Sequence, residues 1–165
     1  MINFVQNYFL RKNLESLKPL PIKQFSGNNI GILFNADRTD KDQLQQLIKK
    51  NFGVNSSQIS FLGYSKHNYS KTEKPTFIFT QKDFTLYGKP NSEPITVFLN
   101  QNYKLLFNFF GENELCLENV AQLTQAKLKV GLSESNDKIN DLLLALDSKN
   151  LDFFKESSKY IKHII

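Results

Sequence analysis

Chemistry in this chain has few side chains to start from. It holds 2 histidines and one cysteine in 165 residues. His67 and His163 stand far apart, and neither pairs with an acid at helical spacing. There is no H-E-x-x-H and no C-x-x-C, so the spacings that hold zinc are missing. A lone Cys116 cannot close an intramolecular disulfide, which suits a reducing compartment. Set between Leu115 and Leu117, it reads as a small core residue. A nucleophilic serine needs a tight strand-to-helix turn flanked by glycines. Gly63-Tyr64-Ser65 comes nearest but lacks the second glycine, so Ser65 reads as a loop residue. Phosphate cradles of the G-x-G-x-x-G and G-x-x-x-x-G-K-[ST] kinds are absent too. The segment Asn35-Ala36-Asp37-Arg38-Thr39 holds no glycine, so its backbone cannot approach a pyrophosphate closely. No cofactor is expected.

Two groups of residues keep a functional reading. The first is a basic, aromatic N-terminal segment. Residues 1–24 carry Arg11, Lys12, Lys18 and Lys23 against Glu15 alone, four cations to one anion and a net +3. The whole chain is only +5. Tyr8 and Phe9 lie beside the cations. Cations neutralise phosphate and rings stack on bases, which is how RNA-binding segments work. Membrane-surface helices use the same ingredients. The plainer reading is that the apolar face packs on the body or on a twin and the charges are solvated.

The second group depends on where strands end, because open parallel sheets bind ligands beyond the carboxyl ends of their strands. Those positions are Asn35, Asp37 and Arg38, then Tyr64, Ser65 and His67, then Asn108, Gly111 and Glu112, then Gly131 and Ser133. Asp37 and Glu112 have the chemistry of an acid and base pair. The plainer reading is that such residues terminate strands and cap helices.

The elements that must position these groups follow from periodicity. Phe4, Val5, Tyr8, Leu10, Leu14 and Leu17 recur at helical spacing over 3–17, and Lys18-Pro19-Leu20-Pro21 breaks the pattern. A body over 25–165 follows this helix and its connector. Residues 30–34 form a short apolar run of the kind buried on both faces of a sheet. Thr39 with Asp42 suggests a helix start, and Gly53 its end. Further strands are expected at 59–64, 76–80, 84–87, 103–109, 126–130 and 141–146. Helices are expected from Ser92 to about Gln101, around Leu117 to Thr124, and after Ser148 with Leu151, Phe154, Ser158 and Ile161 on one face. Strand and helix alternate, which predicts a three-layer α/β sandwich with a largely parallel, Rossmann-like sheet behind an N-terminal amphipathic helix.

Composition agrees with one core: 40% of residues are hydrophobic and 15 are Phe. No run approaches the ~20 apolar residues of a membrane span. The first residues lack the charged and apolar regions of a secretory signal. A cytoplasmic location is expected.

Several pieces together resemble an uncharacterised family of Bacteroidota proteins. They are Asn7-Tyr8-Phe9-Leu10, Gly31-Ile32-Leu33-Phe34, Lys82-Asp83-Phe84 before Tyr87-Gly88-Lys89-Pro90, and Ala126-Lys127-Leu128-Lys129-Val130-Gly131. That resemblance implies a fold but no activity. Leu105 to Gly131 is also similar to the N-terminal half of heptosyltransferase-like sugar transferases, which implies at most a non-catalytic remnant. The leading expectation is a non-enzymatic interaction domain that docks through its basic helix, with RNA or the ribosome as partner. The alternatives are a small-molecule binder or enzyme using the strand-end loops, and a peripheral membrane protein.

Overall fold

The computed structural model describes residues 2–16, 28–70, 72–145 and 152–164. Six strands form one sheet: β1 (Ile30–Asn35), β2 (Ile59–Tyr64), β3 (Ile78–Phe79), β4 (Tyr103–Phe109), β5 (Ala126–Leu132) and β6 (Leu142–Leu144). Five α-helices accompany them: α1 (Ile2–Glu15), α2 (Lys41–Phe52), α3 (Glu93–Leu99), α4 (Leu115–Leu123) and α5 (Phe153–Ile164). The strand order is β3-β2-β1-β4-β5-β6 and every pairing between strands is parallel. This is the Rossmann order, and its direction reverses between β1 and β4.

The apolar run at β1 is continuous because both of its faces are covered. All six of its residues are buried. Leu33 joins a core with Leu10 of α1, Phe98 of α3 and Leu117 of α4. Ile30, Ile32 and Phe34 point the other way, into a core with Leu44 of α2 and Phe154 of α5. Helices therefore cover both sides of the sheet. Connections running toward β3 and toward β6 lie on opposite faces, as right-handed crossovers require. Four rings clamp α5 to β4: Phe154 lies 5.2 Å from Phe107 and 5.3 Å from Phe109, and Phe153 lies 6.0 Å and 5.4 Å from the same two. Each buried Phe contributes roughly 1.5–3 kcal/mol over an exposed one. On α5 the expected face holds at Phe154, Ser158 and Ile161, joined by Phe153 and Ser157. Leu151 and Ser148 lie outside the described residues.

Local chemistry moves several expected boundaries. Asp40, not Thr39, caps α2, its carboxylate accepting from the Gln43 N–H at 3.2 Å. Thr39 is drawn into the preceding turn, its N–H donating to the Asn35 carbonyl. Gly53 ends α2 as expected, with φ 64. Ser92 precedes α3 but makes no side-chain cap, and its Oγ is buried without a partner among the described residues. The expected strand at 76–80 shrinks to Ile78–Phe79.

The strand expected at 84–87 does not form. Phe84 makes a single antiparallel bridge to Pro90. Between them the chain reverses, with Gly88 N–H donating to Thr85 O and Thr85 N–H to Lys89 O. Gly88 has φ 74, a conformation that glycine adopts without steric cost. That turn leaves the carbonyls of Gln81, Phe84, Thr85 and Tyr87 without strand partners, and this decides how α1 sits.

Among the described residues, no helix is long and apolar enough to cross a membrane.

Candidate functional site

The apolar residues of α1 do not all face the body. The buried line is Gln6, Leu10 and Leu14, spaced four apart on one face. Gln6 is the unexpected member. Its Nε2 donates to the carbonyls of Gln81 at 3.2 Å, Phe84 at 3.1 Å and Thr85 at 3.1 Å. Asn13 Nδ2 donates to Tyr87 O at 3.2 Å. Gln81 Nε2 returns a bond to Asn7 Oδ1, and Asn119 of α4 donates to Leu10 O. Gln81 O also accepts the Phe84 N–H and Thr85 O the Gly88 N–H, so among the described residues Phe84 O and Tyr87 O are the carbonyls that depend on these side-chain amides alone. Gly88 lets the two backbones approach: a Cβ there would stand 3.2 Å from the Leu10 nitrogen. The helix is tethered to the body, not projected from it.

What α1 turns outward is chemically mixed. Phe4 is 79% exposed, Tyr8 55% and Val5 39%. Arg11 and Lys12 are exposed on the same face, one turn beyond Tyr8. Phe9, half-buried, stands edge-on to Tyr8 at 5.3 Å and to Tyr87 at 5.0 Å. Tyr87 and its neighbour Leu86 are themselves exposed, and Lys89 follows. Phe9 thus links Tyr8 to the exposed loop at Leu86 and Tyr87, while Arg11 and Lys12 are exposed one turn further along the helix. Lys18 and Lys23 lie outside the described residues. The exposed loop had one sequence signal, the turn-forming Gly88-Lys89-Pro90 directly after Leu86-Tyr87.

The strand-end residues form a second locality at the β1–β4 reversal. Asn35 is buried, donating from Nδ2 to Glu114 Oε1 at 3.0 Å and accepting the Asp37 N–H at 3.0 Å. Asp37 accepts the Ser65 hydroxyl at 2.6 Å and the Lys66 N–H at 2.8 Å, and His67 Nε2 lies 3.6 Å from it. Burial opposes ionisation of Asp37. The two hydrogen bonds and the His67 and Lys66 charges outweigh it and hold the carboxyl below its ordinary value. Ser65 is fully buried and also accepts the His67 N–H. This trio has the three residue types of a hydrolase triad in the wrong order. The serine proton goes to the carboxylate, so the imidazole does not activate the hydroxyl. Its evident work is to tie the loop after β2 to the loop after β1. Sequence spacing hid it because Asp37 and Ser65 meet only once β1 and β2 are paired.

Cys116 is buried on α4 as expected and shares a core with Tyr64. Burial pushes the Tyr64 hydroxyl well up, and Cys116, Glu114 and Asp37 add to that shift. Burial also pushes the Cys116 thiol up to about 12, with Tyr64 opposing and Glu114 assisting. A thiol so placed is not a nucleophile at neutral pH. Asn108 is fully buried, its Nδ2 donating to Asn140 Oδ1 at 2.8 Å, while its Oδ1 has no partner among the described residues. Arg38, Glu112 and Ser133 are exposed. Glu114, not Glu112, is the carboxylate that reaches the end of β1. Glu134 Oε1 lies 3.4 Å from where a Cβ on Gly111 would stand. Four carboxylates, Asp37, Glu112, Glu114 and Glu134, sit on the strand-end loops beside Arg38, Lys66 and His67. Among the described residues no group of three or more His, Cys, Asp or Glu side chains could hold a metal ion.

A family model with the description "Family of unknown function (DUF6913)" matches residues 3–164. No curated protein and no solved structure matches the chain.

Proposed function

The chain belongs to the DUF6913 family, whose function is unknown, and from that premise we propose that it is an RNA-directed interaction domain docking through the outward face of α1. The observation that carries this reading is the exposed face of α1, where the rings Phe4 and Tyr8 are followed one turn on by the cations Arg11 and Lys12, with exposed Tyr87 reached through Phe9. Cations take the phosphates and rings take unstacked bases. The tethers from Gln6 and Asn13 hold this surface in place before binding, which lowers the entropy lost on association. In this reading residues 1–24 are the docking element, with Lys18 and Lys23 extending its charge, and residues 25–165 are the body that carries it. A cytoplasmic location and a ribosomal particle as the RNA source suit such a role.

The burial pattern favours RNA over a membrane. An interfacial helix needs its apolar face free to enter the lipid. Here Leu10 and Leu14 are spent on the body. What remains outward is Phe4, Val5 and Tyr8, followed one turn on by Arg11 and Lys12, so rings stand next to cations that can take a phosphate. The ligand-binding reading of the strand ends is weaker, because Asp37 is committed to Ser65 and Lys66.

The test is titration of a fluorescent uridine oligonucleotide at several salt concentrations, beside sedimentation of ribosomal particles. Each cation that meets a phosphate adds about 0.7 to the salt slope for single strands. The Arg11→Ser, Lys12→Ser double variant is expected to reduce that slope by about 1.4. Tyr8→Ala is expected to weaken binding without changing the slope, by about 1–3 kcal/mol if one base stacks on it. Wild-type affinity in both variants would overturn the reading. Flotation with phosphatidylglycerol vesicles in the absence of RNA affinity would replace it with the membrane one.

A further inference from the structure

A second surface, unconnected with α1, follows from the shortness of β3. Strand β2 pairs with β1 along its whole length, Ile59 to Tyr64. On its outer side β3 pairs only with Gly63 and Tyr64. The outer edge of Ile59–Leu62 is therefore open. Backbone alternation shows which groups face out. Gly63 N–H donates to Phe77 O and Ser65 N–H to Phe79 O, while Tyr64 O accepts from Ala36 on the β1 side. Odd-numbered residues of β2 thus point their backbone groups toward the open edge. The Ile59 N–H is used by Ser56 O. That leaves the Ile59 carbonyl and both the N–H and C=O of Phe61, for which no partner exists among the described residues.

Beside this edge runs a groove of about 420 Å³ between β2, residues 76–77 and α3. Its walls are mostly apolar, with Phe77, Pro94, Val97 and Phe98 among them. Val97 is 52% exposed. The one charged wall residue is Glu93, exposed and without an ion-pair partner among the described residues. An unpaired strand edge beside an apolar groove is the geometry of strand addition: backbone bonds supply affinity and the groove reads alternate side chains.

We propose that the open edge of β2 and its groove bind a short extended peptide, apolar at alternate positions and bearing a Lys or Arg that meets Glu93. Two features set the occupant. The open edge spans only Ile59–Leu62 before β3 closes it in line, so the added segment is short. The second is charge: Glu93 on the α3 side has no ion-pair partner among the described residues, while on the α2 side Lys41 Nζ already lies 5.0 Å from the Phe61 ring and 5.2 Å from the Phe77 ring, so an incoming cation is taken at Glu93. The incoming residue opposite Phe61 accepts from its N–H and donates to its C=O, and a neighbour donates to Ile59 O.

The test is selection from a displayed library of short random peptides against the whole chain. The best sequence is then titrated, as a blocked synthetic peptide, into isotope-labelled protein. The proposal expects selected sequences that alternate apolar and polar residues around a Lys or Arg. It expects amide shifts confined to residues 59–62 and α3, and slowed exchange of the Phe61 amide by about tenfold or more. N-methylation of the peptide bond opposite Phe61 should abolish binding. Glu93→Gln should weaken it by about two- to fivefold, the range of an exposed ion pair. Val97→Arg fills the groove from an exposed position and should block binding in a folded protein. The Arg11→Ser, Lys12→Ser variant should bind the peptide normally, which separates this outcome from the fate of the RNA reading. Failure to select any peptide that moves the β2 amides would overturn the proposal, as would a peptide indifferent to N-methylation. A concentration-dependent dimer that protects Phe61 would overturn it in favour of a second copy.

Discussion

At the scale of single residues, several polar side chains tie distant segments together. Asp37 is the clearest case. Its carboxyl is held below its ordinary value in the folded chain. A depressed folded pKa contributes stability that is fully present above the unfolded value, about 3.9. That contribution is lost as pH falls through the folded pKa. Asp37→Asn should therefore lower the melting temperature at neutral pH, and the gap to the wild type should close as pH falls below about 4. Melting curves from neutral to acid pH check this. A gap that stays constant with pH would mean that the ionised carboxylate contributes nothing. Lys129 is the opposite type: burial depresses its amine to about 8 against a smaller upward pull from Asp141. It donates to the Ala121 carbonyl at 2.8 Å, within reach of the end of α4.

At the scale of elements, α1 and the 81–90 segment are one unit. The segment lacks a strand partner, and the helix supplies amide donors in its place. Gln6→Ala should cost about 1–3 kcal/mol, because the buried Phe84 carbonyl loses its donor. Gln6→Glu should cost more, since an ionised carboxylate accepts and cannot donate to it. Chemical denaturation measures both, and hydrogen exchange should show the α1 amides loosened ahead of the sheet. An unchanged α1 in Gln6→Ala would mean that Leu10 and Leu14 alone hold the helix. Both effects bear on the RNA reading, because a loosened helix presents Tyr8 and Arg11 less rigidly.

At the scale of the whole molecule, stability is set by the two cores that meet across β1 and β4. These strands are covered on both faces and paired on both edges. Their amides should exchange slowest, near the global unfolding limit, while those of β3 and β6 should exchange fastest among the strands. Native-state hydrogen exchange reads this order directly. A β4 as labile as β6 would contradict a sheet nucleated at its centre.

Much of this architecture is written in periodicity. The runs at Ile30, Ile59 and Tyr103 read directly as strands, because strands buried on both faces leave unbroken apolar stretches. The helical face at Leu44 and Ile48 and the stop at Gly53 were equally legible, since a cap and a 3.6-residue period are local properties. The sequence alone determined the α/β class, the buried lone cysteine and the aromatic content of the first helix. Only the tertiary structure decided which face of that helix is spent on the body. Phe4 and Tyr8 look like core and are exposed, while Gln6 looks like surface and is buried. The reason is that the Phe84 carbonyl needs a donor, a demand set by residues some eighty positions away. The same holds for the Asp37–Ser65 tie and the open edge of β2. Both arise from parallel pairing between distant segments, and no local spacing encodes which neighbour a strand will have or where that neighbour stops.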